Sequence, residues 1–205
     1  MTHHVSPELV VSGTVEETNS RAAAWLAQAI RTAVKDHGSC TMAVSGGHSP
    51  WPMFEILARD DSLPWSAITL FQVDERLAAP GSDARNLTHL EANLIAARPE
   101  LRDRLHPMPV DDDDLEAACG RYAAAINEAT GPSATLDIVH LGLGPDGHTA
   151  SLVPHDNVLE CQDRDIALTS TVYQAHRRMT MTYPCINRAR HIMWQVVGAL
   201  SLIHI

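Results

Sequence analysis

Aromatic and basic residues are both scarce in this sequence. Phe, Trp and Tyr together make up 4% of its 205 residues, so aliphatic side chains have to fill most of the core. Lys and Arg number 15 against 25 Asp and Glu, which gives a formal net charge of −10. This charge excludes a protein that holds nucleic acid by non-specific attraction, because such binding requires a basic surface. An anionic ligand would need a local basic pocket.

Cysteines are few, and long apolar runs are missing. The four cysteines are far apart and form no C-x-x-C pair, which favours reduced thiols over a zinc site or a disulfide framework; they are Cys40, Cys119, Cys161 and Cys185. No apolar run approaches the roughly 20 residues of a membrane-spanning helix, and residues 1–4 do not begin a signal peptide. We therefore expect a cytoplasmic protein without nucleic-acid or membrane partners, folded as one domain over residues 1–205.

Strand-like and helix-like patterns alternate through the first two thirds of the chain. Strands are expected at 9–12, 40–44, 68–73, 105–110, 136–141, 166–172, 178–182 and 192–197. Helices are expected at 15–36, 50–58, 87–94, 115–129 and 186–190. The alternation predicts an α/β fold, with right-handed βαβ units, a mainly parallel sheet and helices on both faces. After Pro154 the pattern predicts a smaller β-rich part.

Polar residues follow three of the predicted strands. Ser45-Gly46-Gly47, Asp74-Glu75-Arg76 and residues 142–151 should meet at one edge, because the carboxyl ends of parallel strands share that edge. Residues 45–49 precede a helix and suit an anion, although such a turn is often only structural. Arg76 offers a planar fork for phosphate or carboxylate, or is a surface residue. Asp74 is a candidate general base or a group that orients a substrate hydroxyl. In the alternative reading its side chain only bonds nearby backbone groups.

The third cluster combines glycines with two side chains that suit proton transfer. Residues 142–147 contain three glycines and Asp146, His148 follows directly, and residues 148–151 look like the first turn of a helix. Histidine titrates near neutral pH, so His148 is a candidate general base. Ser151 is a poor nucleophile candidate, because G-x-S-x-G is absent. The segment also fits G-x-G-x-x-G, but Asp146 would repel a pyrophosphate, so we discount a dinucleotide site.

Four motifs, taken in order, resemble those of the 6-phosphogluconolactonase family. They are Ala43-Val-Ser-Gly-Gly-His-Ser-Pro50, Val73-Asp-Glu-Arg76, Asp83-Ala-Arg-Asn86 and Gly142-Leu-Gly-Pro-Asp-Gly-His-Thr-Ala-Ser-Leu-Val-Pro154. Arg178-Met-Thr-Met-Thr182 is similar to a later strand of the family. The resemblance covers residues 10–198 and implies a fold shared with glucosamine-6-phosphate deaminases and ribose-5-phosphate isomerases. It implies hydrolysis of 6-phospho-D-glucono-1,5-lactone, without a metal or organic cofactor, by a monomer or homodimer.

The resemblance also implies roles for individual residues. His148 would take a proton from the attacking water and return it to the ring oxygen, and Asp146 would orient the site. Backbone N–H groups at 144–148 would stabilise the oxyanion. Arg76 and Arg178 would hold the phosphate, and Asn86 and Asp74 the sugar. The complete substrate-binding set is Ser45, Gly46, Gly47, Asp74, Arg76, Asn86, Gly144 and Arg178.

Two alternatives share this fold. Deaminases have Asp-Gly-His-Ile-Ala-Phe-Asn-Glu-Pro at the later motif, whereas Leu152-Val153-Pro154 offers no carboxylate, and Arg76 stands where deaminases typically have tyrosine. A non-catalytic sugar-phosphate sensor of a transcriptional regulator is disfavoured because His148 is present and no DNA-binding segment precedes residue 10.

The family typically continues beyond residue 199 into a phosphate-binding lysine, a helix and a strand, whereas this sequence ends in Leu200-Ser-Leu-Ile-His-Ile205. We expect the missing lysine to weaken binding by about 1–3 kcal/mol.

Overall fold

A computed structural model describes residues 7–47, 49–131 and 133–198. Its helices are α1 (Val15–His37), α2 (Pro50–Ala58), α3 (Asn86–Leu90), α4 (Leu115–Thr130) and α5 (Tyr183–Asn187). Its strands are β1 (Cys40–Val44), β2 (Ile68–Gln72), β3 (Asp74–Arg76), β4 (Leu105–His106), β5 (Ile138–Gly142), β6 (Ile166–Leu168), β7 (Arg178–Met181) and β8 (His191–Gln195). A π-helical turn, Glu91–Ile95, continues α3, and 3₁₀ turns cover Trp65–Ala67, Pro99–Arg104 and Asn157–Glu160.

The main sheet has five strands in the order β4-β2-β1-β5-β8. Every neighbouring pair is parallel, which confirms the predicted mainly parallel sheet. The central strand β1 is buried along its whole length, as expected of a strand covered on both faces. The carboxyl ends of β1, β2, β5 and β8 therefore meet at a single edge.

Alternate residues of β1 enter two separate cores. Met42 and Val44 pack with apolar residues of α1 and α2 on one face of the sheet. Ala43 packs on the other face with residues of α4, α5 and the strands β6 and β7. Helices therefore cover both faces, as the alternating sequence pattern predicts.

A second sheet has three antiparallel strands in the order β3-β7-β6. This sheet is the predicted β-rich part. The sequence did not predict its first strand, Asp74–Arg76. These residues were expected only to follow a strand. The chain changes sheet at Val73, whose N–H donates to Val44 in the main sheet (3.0 Å) and whose carbonyl accepts from Met181 in the second (2.7 Å).

Local signals set the ends of α1 and the start of α4. The Thr14 side chain accepts a hydrogen bond from the Glu17 N–H (3.1 Å) and caps α1. Gly38 ends the helix with φ +84°, a conformation that glycine adopts without a steric cost. Asp114 accepts from the Ala117 N–H (3.0 Å) and caps α4.

Three predicted strands are wrong or too long. Residues 9–12 form no strand, and Leu9 and Val11 are 71% and 72% exposed, because no neighbouring strand pairs with this β-branched run. Only Leu105–His106 and Ile166–Leu168 form strands in the longer predicted segments. The expected loss of the phosphate-binding lysine concerns residues 199–205, which lie outside the described residues.

Candidate active site

The predicted site residues meet in a cleft of about 310 Å³ at the carboxyl edge of the main sheet. The cleft is lined by all eight predicted substrate-binding residues and by His148; those eight are Ser45, Gly46, Gly47, Asp74, Arg76, Asn86, Gly144 and Arg178. Asp146 is not part of the lining and contacts His148. The polar groups that follow β1, β2 and β5 thus converge, as the parallel topology requires.

The segment after β5 is a closed turn, as the glycines predict, but residues 148–151 do not form the predicted first turn of a helix. The Gly144 N–H donates to the His148 carbonyl (2.8 Å), the Gly147 N–H donates to Gly144 (3.0 Å), and Gly147 has φ +86°. Thr149 and Leu152 then pair in an isolated bridge. The sequence pattern was misleading for residues 148–151, because the His148 N–H and carbonyl groups are bonded within the turn and not along a helix. The Gly144, Gly147 and His148 N–H groups, which were expected among the oxyanion donors, each donate within the turn.

His148 and Asp146 form a close imidazole–carboxylate pair. The distance from His148 Nδ1 to Asp146 Oδ1 is 2.5 Å. Partial burial raises the pKa of the Asp146 carboxyl, but hydrogen bonds from His148 and Tyr173 outweigh burial and lower the pKa to about 2. Asp146 is therefore ionised at neutral pH and fixes the proton of His148 on Nδ1. Nε2 is left as the basic nitrogen of a side chain that lines the cleft.

Gly144 makes room for the imidazole of His148. A Cβ atom at residue 144 would lie 2.1 Å from His148 Cε1 and 2.2 Å from Nδ1. Real Cβ atoms do not approach other atoms so closely, so either the ring or the turn has to move. The glycine is needed here for space, because its φ lies outside the left-handed region.

We expect Gly144→Ala to lower turnover in this cleft by about 100-fold, because displacement of a catalytic group by about 1 Å has that effect. Circular dichroism should show a folded protein. Gly120→Ala is the matched control, since a Cβ there meets nothing within 4 Å in α4; it should keep turnover and gain about 0.5–1 kcal/mol of stability. Equal turnover in both variants would show that the position of His148 is unimportant.

Two arginines face the cleft from neighbouring strands. Arg76 of β3 pairs directly with Arg178 of β7. Arg76 donates through Nη1 to the Ala84 carbonyl (2.9 Å) and to Asn86 Oδ1 (3.2 Å). Arg178 is 2% exposed, and its Nη1 lies 4.0 Å from Asp74 Oδ2. Burial lowers the pKa of Arg178, and the neighbouring Asp74 charge opposes this effect.

Asp74 and Asn86 are held rigidly at the base of the cleft. The Ser151 hydroxyl is fully buried and donates to Asp74 Oδ2 (2.6 Å). Asn86 Nδ2 donates to the Asp74 carbonyl (3.0 Å). A Cβ atom at Gly46 would lie 2.0 Å from Asn86 Oδ1, so the glycine turn after β1 packs directly on Asn86. These contacts fix the position of Asp74 before any ligand arrives.

Several residues at the site were not predicted, and they are His140, Tyr173, Gln174 and Gln195. His140 and Gln195 line the cleft and bond each other (3.2 Å). Burial lowers the pKa of His140 to about 4, so it is neutral. A polar residue inside a predicted buried strand was the available signal for His140, since such groups need a buried partner. Tyr173 and Gln174 follow a strand in a segment without any motif.

Glu75 is fully buried and anchors the site from beneath. Its carboxylate accepts from the N–H groups of Asn86 and Leu87 (both 2.8 Å) and from Gln72 Nε2 (2.9 Å). Arg85 Nε lies 3.6 Å away. The cluster Asp74-Glu75-Arg76 was predicted to lie at this edge of the sheet, but no role was predicted for Glu75.

We expect Glu75→Ala to lower the free energy of unfolding by about 3–5 kcal/mol, the usual cost of removing one partner of a buried charged network. Urea denaturation followed by circular dichroism measures the change. Glu116→Ala is the matched control, because the Glu116–Arg164 pair is exposed and should contribute less than about 1 kcal/mol. A loss below 1 kcal/mol for Glu75→Ala would contradict the anchoring role.

Neither a metal-binding cluster nor a membrane-spanning helix is found within residues 7–47, 49–131 and 133–198. No group of three or more His, Cys, Asp or Glu side chains there is arranged to hold a metal ion. None of the helices in this part of the chain combines the length and apolarity needed to cross a membrane.

The fold and the cleft define an α/β protein in which an imidazole–carboxylate pair and two arginines meet at the carboxyl edge of a parallel sheet. Residues 13–200 match the model of the family described as glucosamine-6-phosphate isomerases/6-phosphogluconolactonase. The chain belongs to this family.

Relatives and solved structures agree with the family match. The chain is 36% identical to a 6-phosphogluconolactonase of Nostoc sp. over 179 residues, which are 82% of this chain and 70% of the relative. It is also 36% identical to a 6-phosphogluconolactonase of Synechocystis sp., over 87% of this chain and 75% of the relative. A crystal structure of a 6-phosphogluconolactonase from Shewanella baltica superimposes with a TM-score of 0.82 at 25% identity and covers 93% of this chain and 81% of that one. A monomeric glucosamine-6-phosphate deaminase shares the fold, with a TM-score of 0.74 at 20% identity over 89% of this chain and 79% of the deaminase.

Proposed function

We propose that this protein hydrolyses 6-phospho-D-glucono-1,5-lactone to 6-phosphogluconate, the lactone-opening step of the oxidative pentose phosphate pathway. The observation that carries the proposal is that the His148–Asp146 pair and two guanidinium groups share one cleft. The distribution of groups matches the substrate, which has an electrophilic carbonyl at one end and a phosphate at the other. The named relatives in Nostoc and Synechocystis support the same reaction.

In the proposed reaction His148 first acts as a base. Nε2 takes a proton from water while the water oxygen attacks the lactone carbonyl carbon, and the carbonyl π electrons move to oxygen. The imidazolium that forms is stabilised by the ionised Asp146 on Nδ1. When the tetrahedral intermediate collapses, the bond to the ring oxygen breaks and His148 returns its proton to that oxygen. The product carboxylic acid then ionises in solution.

The remaining cleft residues are proposed to bind the substrate. Arg76 and Arg178 hold the phosphate dianion, which suits the planar guanidinium fork. In the turn of Ser45, Gly46 and Gly47, the two glycines add backbone donors near the start of α2, whereas the Ser45 N–H already donates to the His140 carbonyl (3.1 Å). Asp74, already oriented by Ser151 and Asn86, accepts from sugar hydroxyls. Gly144 permits the position of His148.

A deaminase reaction is less well supported, because the carboxylate that assists ring opening in deaminases has no counterpart. Leu152 and Val153 stand at the corresponding positions and are 2% and 1% exposed. Buried aliphatic side chains cannot transfer protons, so the turn after His148 favours the hydrolase.

The decisive experiment measures opening of 6-phosphogluconolactone against its spontaneous rate, with glucosamine 6-phosphate tested in parallel. Enzymatic opening of the lactone alone is expected. Release of ammonia from glucosamine 6-phosphate would favour the deaminase, and binding without turnover would favour a sensor.

Sedimentation in the same buffer distinguishes the proposed monomer from the homodimer. The proposal includes a cytoplasmic location, where sugar phosphates are produced.

A further inference from the structure

Tyr173 contacts the carboxylate that orients His148. Its hydroxyl donates to Asp146 Oδ2 at 2.8 Å, while Oδ1 of the same carboxylate accepts from His148 Nδ1 at 2.5 Å. The two oxygens of Asp146 therefore have separate partners. A carboxylate bonded at both oxygens cannot rotate without breaking a charge-assisted hydrogen bond.

The ring of Tyr173 also lies between the imidazole and an arginine. Its centroid is 5.2 Å from that of His148, at an interplanar angle of 68°, which is an edge-to-face contact. The Arg178 guanidinium carbon lies 5.1 Å from the same Tyr173 centroid, within the range of a cation–π contact. One side chain thus touches the proposed base, its carboxylate partner and a proposed phosphate ligand.

A tight hairpin turn holds Tyr173 in place. Tyr173 and His176 exchange backbone hydrogen bonds of 3.0 and 3.3 Å, and the two residues between them, Gln174 and Ala175, have φ values of 49° and 70°. Positive φ at both central positions is typical of a type I′ turn, which is unfavourable for residues other than Gly, Asn and Asp. Gln174 Oε1 accepts from Arg178 Nη2 at 3.1 Å, so the turn is also tied to the cleft by a side chain.

We propose that Tyr173 is a positioning residue for the reaction: by holding Asp146, it keeps the proton of His148 on Nδ1 and Nε2 free to act as the base. Tyr173 exchanges no proton with the substrate and acts only through Asp146. This inference rests on the proposed lactonase function. It adds to that function a residue outside the motifs that identify the family.

The test is Tyr173→Phe, which removes the hydroxyl and keeps the ring. We expect kcat for the phosphorylated lactone to fall by about 10- to 100-fold, the loss associated with one hydrogen bond to a charged group. KM should stay within about twofold, because the ring still contacts Arg178. Tyr183→Phe is the matched control, since Tyr183 is 38% exposed at the start of α5, and it should leave both constants unchanged.

A second measurement does not depend on turnover. Ring ¹⁵N chemical shifts of His148, recorded by NMR where the imidazole is neutral, report which nitrogen carries the proton. The wild-type protein should show Nδ1–H, and Tyr173→Phe should show a new population with Nε2–H. Unchanged kcat in this variant, or an unchanged tautomer, would overturn the positioning role. A wild-type protein without lactonase activity would instead overturn the proposed function, and the ¹⁵N shifts would still decide whether Tyr173 positions His148.

Discussion

Replacing His148 by alanine should lower kcat for 6-phosphogluconolactone by about a thousandfold, within the range that general acid–base catalysis contributes. The variant loses both the base that activates water and the acid that protonates the ring oxygen. The side chain is only partly buried (15% exposed) at the rim of the turn, so the protein should still fold, with an unchanged circular dichroism spectrum. A stopped assay corrected for spontaneous opening measures the loss.

His191→Ala is a suitable control for this experiment. His191 is exposed at the amino end of β8, at the edge of the sheet opposite the cleft, and contacts the Trp25 ring. Its replacement should leave kcat unchanged. A His148→Ala protein with near-wild-type turnover would remove the imidazole from the mechanism and would leave the cleft without an assigned base.

Replacing Arg76 by alanine should raise KM for the phosphorylated lactone by about 10- to 100-fold, the effect of one charged hydrogen bond. KM for unphosphorylated gluconolactone should hardly change, because that lactone has no dianion for the guanidinium to bind. Parallel kinetics with the two lactones measure the difference. Equal changes for both would show that Arg76 does not recognise phosphate.

Arg76 is a better probe of phosphate binding than Arg178. Arg178 is buried beside Asp74, so its removal would leave an uncompensated charge and destabilise the protein. Arg76 is less buried and bonds a backbone carbonyl and an amide oxygen. Arg76→Lys keeps the charge and should recover part of the loss, whereas Arg164→Ala, in an exposed ion pair, controls for the change in net charge.

Local patterns in the sequence were sufficient to predict α1, β1 and β5. The four-residue spacing of apolar side chains and the Thr14 and Gly38 signals define α1, and the apolar runs at 40–44 and 136–141 correspond to β1 and β5. Parallel topology then requires the polar residues after these strands to meet. For that reason His148, Arg76 and Asp74 could be assigned to one cleft before their positions were known.

The sequence determined by itself the main sheet, its covering helices and the meeting of the polar residues after β1, β2 and β5 at one edge, because each depends on short-range patterns and on a general rule of topology. Only the tertiary structure decided how those residues are held. Ser151 bonds Asp74 across 77 residues of sequence and Tyr173 bonds Asp146 across 27, and Thr149 and Leu152 pair in a bridge where the first turn of a helix was expected. No local pattern encodes such contacts, since they arise only when distant segments pack together and their buried polar groups find partners.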